Sequence, residues 1–152
     1  MRFATVHVRF MCGAAVVCAL ASGSPAYAQL GIGDWVRTDT DGRGMTMTVT
    51  SCRKGGFRLT YHVTVGNGQP PLTLTVDLPM DGTEVPTLNG GKPIGQTMAI
   101  KRVDERHYTG VIKQNGEVSS TSSATLSVDG KSLTIVDTLV GGKKVTETWV
   151  KK

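Results

Sequence analysis

The densest group of reactive side chains lies in the stretch IKRVDERHYT, residues 100–109. Basic, acidic, imidazole and phenol groups stand close together there, a set that could transfer protons, bind an anion or contact nucleic acid. The same residues also fit a β-hairpin whose loop is Asp104–Arg106. That register pairs Arg102 with Tyr108 and places His107 on the solvent face. The sequence therefore predicts a solvated hairpin tip rather than a catalytic centre.

Arg102 is the residue of this stretch for which two roles remain. It alternates with Met98 and Ile100, so it shares the apolar face of its strand. A guanidinium there needs acceptors or water, because burying it without them is costly. It either caps the core by stacking on Tyr108 or binds the anionic head group of a ligand at a barrel mouth.

Cys52 and His62 have the residue types of a nucleophile and its base. A three-residue loop, Arg53–Gly55, would place Cys52 opposite Gly56. His62 then lies about 20 Å further along the strand, at about 3.3 Å per residue. A catalytic dyad needs hydrogen-bond contact, so the predicted register excludes this pair.

Asp137 and Glu147 are a second pair that could do acid–base chemistry. If the Gly141-Gly142 turn carries one extra residue, Val145 and Trp149 join the apolar face and the two carboxylates lie opposite each other. Paired carboxylates raise the pKa of one partner. With a two-residue turn they lie on opposite faces, and the sequence does not decide between the registers. No other catalytic pattern is present, so we predict that the protein is not an enzyme.

Metal and nucleic-acid sites have no support in the sequence. There is no CxxC or HxxxH motif. The DTDG at residues 39–42 departs from a calcium loop, because its glycine comes too early and Thr50 stands where a glutamate should bind the ion. Basic residues alternate with acidic ones and are not interleaved with aromatic residues. We predict no metal, no cofactor and no nucleic-acid partner.

The first 28 residues have the pattern of a secretory signal peptide. Arg2 and Arg9 supply a positively charged n-region, Met11–Ala21 is an uncharged apolar run, and AYA at 26–28 fits a cleavage site. The run is shorter than the about 20 residues that a membrane span requires. The expected mature chain, Gln29–Lys152, has 15 basic and 12 acidic residues, a net charge of +3, and one cysteine. We expect a periplasmic or secreted single-domain protein without an intramolecular disulfide.

The remaining chain alternates apolar and polar residues in short runs separated by turn residues. This pattern predicts an all-β fold, an antiparallel up-and-down meander of about 8–10 strands. The predicted strands are 45–52, 57–65, 72–78, 97–103, 107–113, 118–128, 132–140 and 144–150, with a short strand at Trp35 before them. Turns at Arg53–Gly55, Asn67-Gly68 and Asp129-Gly130 give registers in which one face is apolar and the other is rich in threonine.

One predicted strand has a different face. Val118, Ser120, Ser122, Ala124 and Leu126 would share it, and they are small and partly polar. Either this part of the sheet is wet, or Ser120 and Ser122 line a cavity.

An apolar face and a threonine-rich face are compatible with two kinds of barrel. In a soluble barrel the apolar face points inward, whereas in an outer-membrane barrel it points toward lipid. The membrane alternative requires girdles of aromatic residues, and the few aromatic residues here show no such pattern. The sequence therefore favours a soluble barrel that is not embedded in a membrane.

Three segments, MDGTEVP, GQTMAIKRVDERHYTGVIKQNGEV and LSVDGKSLTI, resemble a family of small exported bacterial proteins with a lipocalin-like, calycin-type barrel. The resemblance covers about residues 72–150. Gly33-Asp34-Trp35 is also similar to the G-x-W that opens lipocalins. The segment after Trp35 is short, however, and only Lys151 and Lys152 stand where an arginine would lie across the tryptophan. The resemblance implies a full or half-open barrel with an apolar cavity and implies no reaction.

Two functions are favoured over a third, a small enzyme that would use Asp137 and Glu147. In the first, the barrel holds a small apolar or amphipathic ligand, since a barrel of this size can enclose one. Its candidate ligand-binding residues are Arg102, Tyr108, Tyr61, Met47, Met98, Ser120 and Ser122, with Met45, Leu74 and Ile100 on the same apolar face. In the second, the protein is a ligand-free interaction or structural module of the cell envelope, with a partner that the sequence does not identify.

Overall fold

The structure is a computed structural model of the 152-residue chain. It describes residues 31–39, 44–52, 55–65 and 69–152. The expected signal peptide and its cleavage site lie outside the described residues, as does the Asn67-Gly68 turn.

Antiparallel strands close into a barrel in which each strand pairs with its neighbours along the chain and β1 pairs with β10. The strands are β1 Gly33–Arg37, β2 Met45–Ser51, β3 Phe57–Val63, β4 Leu72–Leu78, β5 Asp81–Asn89, β6 Lys92–Arg102, β7 His107–Gln114, β8 Glu117–Leu126, β9 Ser132–Leu139 and β10 Lys144–Lys151. The predicted all-β meander is confirmed, and the barrel is closed rather than half-open. In the described ranges, no helix is long and apolar enough to cross a membrane.

The hairpin registers predicted from turn chemistry are confirmed. Pairs that share the inward face include Met47 with Tyr61, Val49 with Leu59, Tyr61 with Leu74, Ile100 with Gly110, Arg102 with Tyr108, and Leu126 with Leu133. The residues between them, mostly threonines on β2 to β4, point outward. The apolar face of the meander is therefore the lining of the barrel.

Strand β5 was missed by the sequence analysis, and β6 begins at Lys92 rather than at residue 97. The β5–β6 ladder carries register shifts between Asp81 and Glu84 and between Pro86 and Leu88. Each shift resets the two-residue alternation that identifies a strand. Pro86 also lacks the N–H donor of a ladder residue, so its presence argues against a strand.

Val118 does not share the inward face of Ser120 and Ser122, which corrects the prediction for this strand. A register shift follows Ile112, so that Ile112 pairs with Ser120 while Lys113 pairs with Val118. The Ser119 hydroxyl donates a hydrogen bond of 3.1 Å to the Ile112 carbonyl at this bulge. The extra residue turns Val118 outward, where it is 47% exposed.

The two ends of the barrel differ in how tightly they are filled. At one end, which we call the closed end, the inward side chains are buried: Trp35, Val49, Phe57, Leu59, Val76, Leu78, Tyr108, Leu126 and Leu133. At the other, the mouth end, the inward side chains of Met45, Leu74, Met98, Ile112, Asp137 and Glu147 are only partly buried. The larger part of the space inside the barrel lies toward the mouth end.

Candidate ligand-binding site

The barrel interior contains two adjoining cavities. The inner cavity, of about 70 Å³, is lined by Met47, Leu59, Tyr61, Leu78, Met80, Ile100, Tyr108, Thr109, Ser122, Ala124, Leu133 and Ile135. The mouth cavity, of about 230 Å³, is lined by Met45, Tyr61, Leu74, Gln96, Met98, Ile100, Ile112, Ser122, Ile135, Asp137, Glu147 and Trp149. Four residues line both, namely Tyr61, Ile100, Ser122 and Ile135. An elongated molecule could therefore extend from one cavity into the other.

Gly110 allows two side chains that line both cavities, those of Ile100 and Ser122, to lie against the backbone of β7. It lies between Ile100 on β6 and Ser122 on β8 in the ladder. A Cβ atom at this position would collide with the Ser122 hydroxyl and with the end of Ile100. The absence of a side chain at Gly110 is therefore what leaves room for these two neighbours.

Charged side chains gather at the mouth end, where Arg37, Asp39, Asp137 and Glu147 form a group that we call the mouth cluster. Arg37 donates hydrogen bonds from Nε and Nη2 to the two oxygens of Asp39, at 2.9 and 3.0 Å. Its Nη1 lies 2.9 Å from Glu147 Oε1. The other oxygen of Glu147 accepts a hydrogen bond of 3.2 Å from the Trp149 indole. All three nitrogens of Arg37 are thus used by two carboxylates.

Asp137 is the carboxylate of the mouth cluster with the poorest hydrogen bonding. Its Oδ1 atom is buried and accepts no hydrogen bond from any described residue. Burial raises the pKa of Asp137 above its ordinary value, against the opposing effect of the Arg37 charge. A buried carboxylate oxygen without a donor is costly, so a cation or a donor placed beside it would be stabilising.

Burial and the contacts with Arg37 shift the pKa values of the other two carboxylates of the cluster and of the neighbouring Tyr61. Burial raises the pKa of Glu147, although Arg37 and the Trp149 indole oppose the shift. Hydrogen bonds from Arg37 lower the pKa of Asp39 to about 2. Burial also raises the pKa of Tyr61, and the nearby charges of Glu147 and Asp137 add to that shift. The Tyr61 phenol therefore stays neutral beside these acids.

The structure decides between the two registers of the Gly141-Gly142 turn, and with them the relative positions of Asp137 and Glu147. The β9–β10 loop has three residues, since the Leu139 amide donates to the Lys143 carbonyl at 2.8 Å. Both carboxylates lie on the inward face, but Asp137 pairs with Val145 and Glu147 pairs with Ile135. They are diagonal neighbours rather than directly opposite.

Two aromatic rings line the mouth cavity beside these acids. Tyr61 and Trp149 meet edge to face, with ring centroids 6.0 Å apart and an interplanar angle of 62°. Aromatic faces attract cations through the ring quadrupole. The mouth cavity thus combines carboxylates, aromatic rings and methionine side chains.

Five of the seven predicted ligand-binding residues line the interior cavities. Tyr108 and Met47 line the inner cavity, Met98 lines the mouth cavity, and Tyr61 and Ser122 line both. Ser120 is buried but is not among the residues that line either cavity. Of the two serines that the sequence analysis considered, the structure therefore brings only Ser122 to the cavities.

Arg102 lies at the closed end, away from the mouth cluster. Its Nε donates a hydrogen bond of 3.1 Å to the Asp104 carbonyl, and its amide donates one of 3.0 Å to the Met80 carbonyl. It lines a shallow outer depression with Val103, Asp104 and Glu105 rather than either interior cavity. This position favours the capping role over contact with a ligand head group.

The catalytic and metal alternatives gain no support from the geometry. The Cys52 amide donates to the Gly56 carbonyl at 2.9 Å, as predicted, and His62 lies on the outward face near the mouth end, paired with Thr46 and Thr73. A wide outer groove of about 800 Å³ includes Cys52 beside Arg58 and Asp77, which satisfy each other in an ion pair. Within the described ranges, no three His, Cys, Asp or Glu side chains come together to hold a metal ion.

Comparison with known proteins shows the fold but no family. No protein-family model matches the chain, and no curated protein matches it. Two crystal structures of the fluorescent protein UnaG align with most of it. A point mutant gives a TM-score of 0.58 at 10% identity, covering 81% of this chain and 96% of UnaG. The wild type gives 0.54 at 13% identity, covering 80% and 96%. At this identity the likeness supports the barrel architecture alone.

Four residues at or beside the site were not predicted from the sequence as ligand contacts. Arg37 stands two residues after Trp35 and so shares its inward face, a signal that was available. Trp149 and Glu147 were on the right face only in one of two open registers. Met80 lines the inner cavity from the β4–β5 connection, where its φ of 65° is unusual for a residue other than glycine. No pattern in the sequence predicts that conformation.

Proposed function

We propose that this protein binds one small amphipathic ligand inside its barrel. The observation that carries the proposal is the pair of adjoining cavities, with an apolar inner part and a partly polar mouth. Each cavity alone is smaller than the about 300 Å³ at which typical small-molecule pockets begin. A slender ligand that uses both fits this space better than a bulky one. The two structures with a similar fold are of a fluorescent protein, UnaG, and not of an enzyme, which is consistent with a non-enzymatic role for this protein.

Binding can be tested with N-phenyl-1-naphthylamine, a neutral apolar fluorophore. We expect Ser122→Leu to weaken its binding about tenfold or more, because the added side chain fills the junction of the two cavities. Ser123→Leu is the matched control, since Ser123 is the next residue of β8 and is exposed on the outward face. Its affinity should stay close to that of the wild type.

Fluorescence titration and thermal unfolding of the three proteins would give the result. Overpacking costs stability in its own right, so binding is compared only for variants that remain folded at the assay temperature. If the wild type binds neither N-phenyl-1-naphthylamine nor a straight-chain amphiphile with a ten-carbon chain at tens of micromolar, the proposal is rejected and the outer face remains as the working surface. Equal loss in both variants would reject the barrel interior as the site.

We also propose that the chain is exported and belongs to a family of small exported bacterial barrel proteins. The support is the N-terminal pattern of Arg2 and Arg9, the apolar run and the small residues at 26–28. We expect the exported form to begin at Gln29, or to be blocked there as pyroglutamate. N-terminal sequencing or intact mass after expression in a bacterium checks this, and an exported protein that retains Met1 would contradict it.

A further inference from the structure

The charges of the mouth cluster are unbalanced toward the negative, and the two members that line the mouth cavity, Asp137 and Glu147, are both acids. Three carboxylates, Asp39, Asp137 and Glu147, stand with the single guanidinium of Arg37 in the described mouth cluster. Arg37 gives two hydrogen bonds to Asp39 and its third nitrogen to Glu147. No ion pair joins it to Asp137. An anionic head group in this cavity would therefore meet two acids in the lining, whereas the charge of Arg37 is already shared between Asp39 and Glu147.

In the part of the chain that the structure describes, Asp137 is the carboxylate of the mouth cluster that lacks a hydrogen-bond donor on one of its oxygens. It lines the mouth cavity, and its buried Oδ1 lacks a donor among the described residues. Glu147, by contrast, has a partner on each oxygen. The burial of Asp137 also raises its pKa, and the charge of Arg37 opposes this shift without reversing it. A ligand ammonium within hydrogen-bond distance would provide both the donor and the charge.

The surrounding side chains define the rest of such a ligand. Tyr61 and Trp149 line the same cavity and present aromatic surface to a cation. Below them the inner cavity is apolar, with Leu59, Leu78 and Leu133 in its wall. A charged head at the mouth and a hydrocarbon body toward the closed end would match both regions.

We propose that the barrel is selective for cationic amphiphiles, molecules with a protonated amine on an apolar body, and that Asp137 is the main contact of the ammonium group. This inference rests on the proposed function, because it assumes that the barrel binds a ligand. The sequence analysis considered Arg102 as the contact of an anionic head group. The inference assigns the head group to Asp137 at the opposite end of the barrel, so the expected ligand is cationic rather than anionic.

Three probes of equal chain length separate head-group recognition from simple apolar binding. These are decylammonium, decanoate and decan-1-ol, each measured by calorimetric titration at neutral pH below the concentration at which it aggregates. We expect the wild type to bind decylammonium about tenfold or more tighter than decan-1-ol, and decanoate more weakly than either, as expected for a charged hydrogen bond.

Variants at Asp137 test the residue itself. Asp137→Asn keeps the shape and removes the charge, so it should lose most of the preference for decylammonium and keep its affinity for decan-1-ol. Asp137→Glu retains a carboxylate and should retain part of the preference. Asp77→Asn is the matched control, because Asp77 is a carboxylate of β4 on the outward face. It should bind all three probes as the wild type does.

The possible results distinguish the inference from the proposed function. If the wild type binds the three probes equally well, or binds decanoate best, the barrel binds ligands but the cationic selectivity is wrong. If Asp137→Asn keeps the full preference, the assignment to Asp137 is wrong. If none of the three decyl probes binds and N-phenyl-1-naphthylamine does not bind either, the proposed function fails and the inference fails with it.

Discussion

Replacing Trp149 by alanine should lower the free energy of unfolding by about 3–5 kcal/mol, as is typical for the loss of a large buried aromatic side chain. Trp149 is only 1% exposed, and its ring contacts Tyr61 edge to face. Its indole also donates to Glu147. The substitution therefore removes core packing and the donor on one oxygen of a partly buried carboxylate. Equilibrium unfolding in urea, followed by circular dichroism, measures the effect.

The neighbouring residue Val150 offers the control for this measurement. It lies on the same strand, faces outward and is 40% exposed, so Val150→Ala should change stability far less. The Trp149→Ala cavity would also join the mouth cavity and should admit a larger apolar probe, since cavities lined by apolar groups bind such molecules. Similar losses for both variants would contradict the packing that we describe at the mouth of the barrel.

The parts of the fold that the sequence predicts are those that depend on residues close together in the chain. Turn chemistry and alternation were sufficient for hairpins such as β2–β3 and β6–β7, because each register depends on one short loop. The β9–β10 register was not decided, because Gly141 and Gly142 both accept positive φ, here 91° and 83°. Such a loop is compatible with more than one turn, and each turn places Asp137 and Glu147 differently.

The mouth cluster was harder to predict for a related reason. Arg37 meets Glu147 and Trp149 only because β1 pairs with β10, a contact between the two ends of the barrel sequence. No turn connects these strands, so no local pattern gives their register. For Arg102 the local register was predictable, but its position relative to the cavities was not. Its pairing with Tyr108 was predicted correctly, but a register does not say which end of a barrel is packed and which is open.

Arg37 should be the charged residue whose loss is most costly. We expect Arg37→Gln to lower the free energy of unfolding at pH 7 by about 2–3 kcal/mol, between the values for exposed and fully buried ion pairs. Its side chain is 19% exposed, and it bonds to both Asp39 and Glu147. Without it, three partly buried carboxylates would face one another with no cation among the described residues of the cluster.

The loss should depend on pH in a direction that the carboxylates fix. The pKa of Asp39 is about 2 in the folded protein, below its ordinary value of 3.8. Its stabilising contribution is therefore complete above about pH 4 and is lost as the pH falls toward 2. Glu147 and Asp137 have raised pKa values, so they take up protons more readily in the folded than in the unfolded state. In Arg37→Gln, their protonation relieves repulsion, and the variant should recover stability relative to the wild type as the pH falls from 7.

Urea unfolding of both proteins between pH 7 and pH 2 measures this convergence, with Arg58→Gln as the matched control. Arg58 also forms a bidentate pair with an aspartate, Asp77, but on the exposed outer face, where solvent screening leaves ion pairs weak. Its substitution should change stability much less at every pH. Arg37→Gln should also bind decylammonium more tightly than the wild type, because the ligand would then be the counter-charge of the whole cluster. A variant that is destabilised equally at all pH values, and binds decylammonium no better, would show that Arg37 acts through packing and not as the cation that balances these acids.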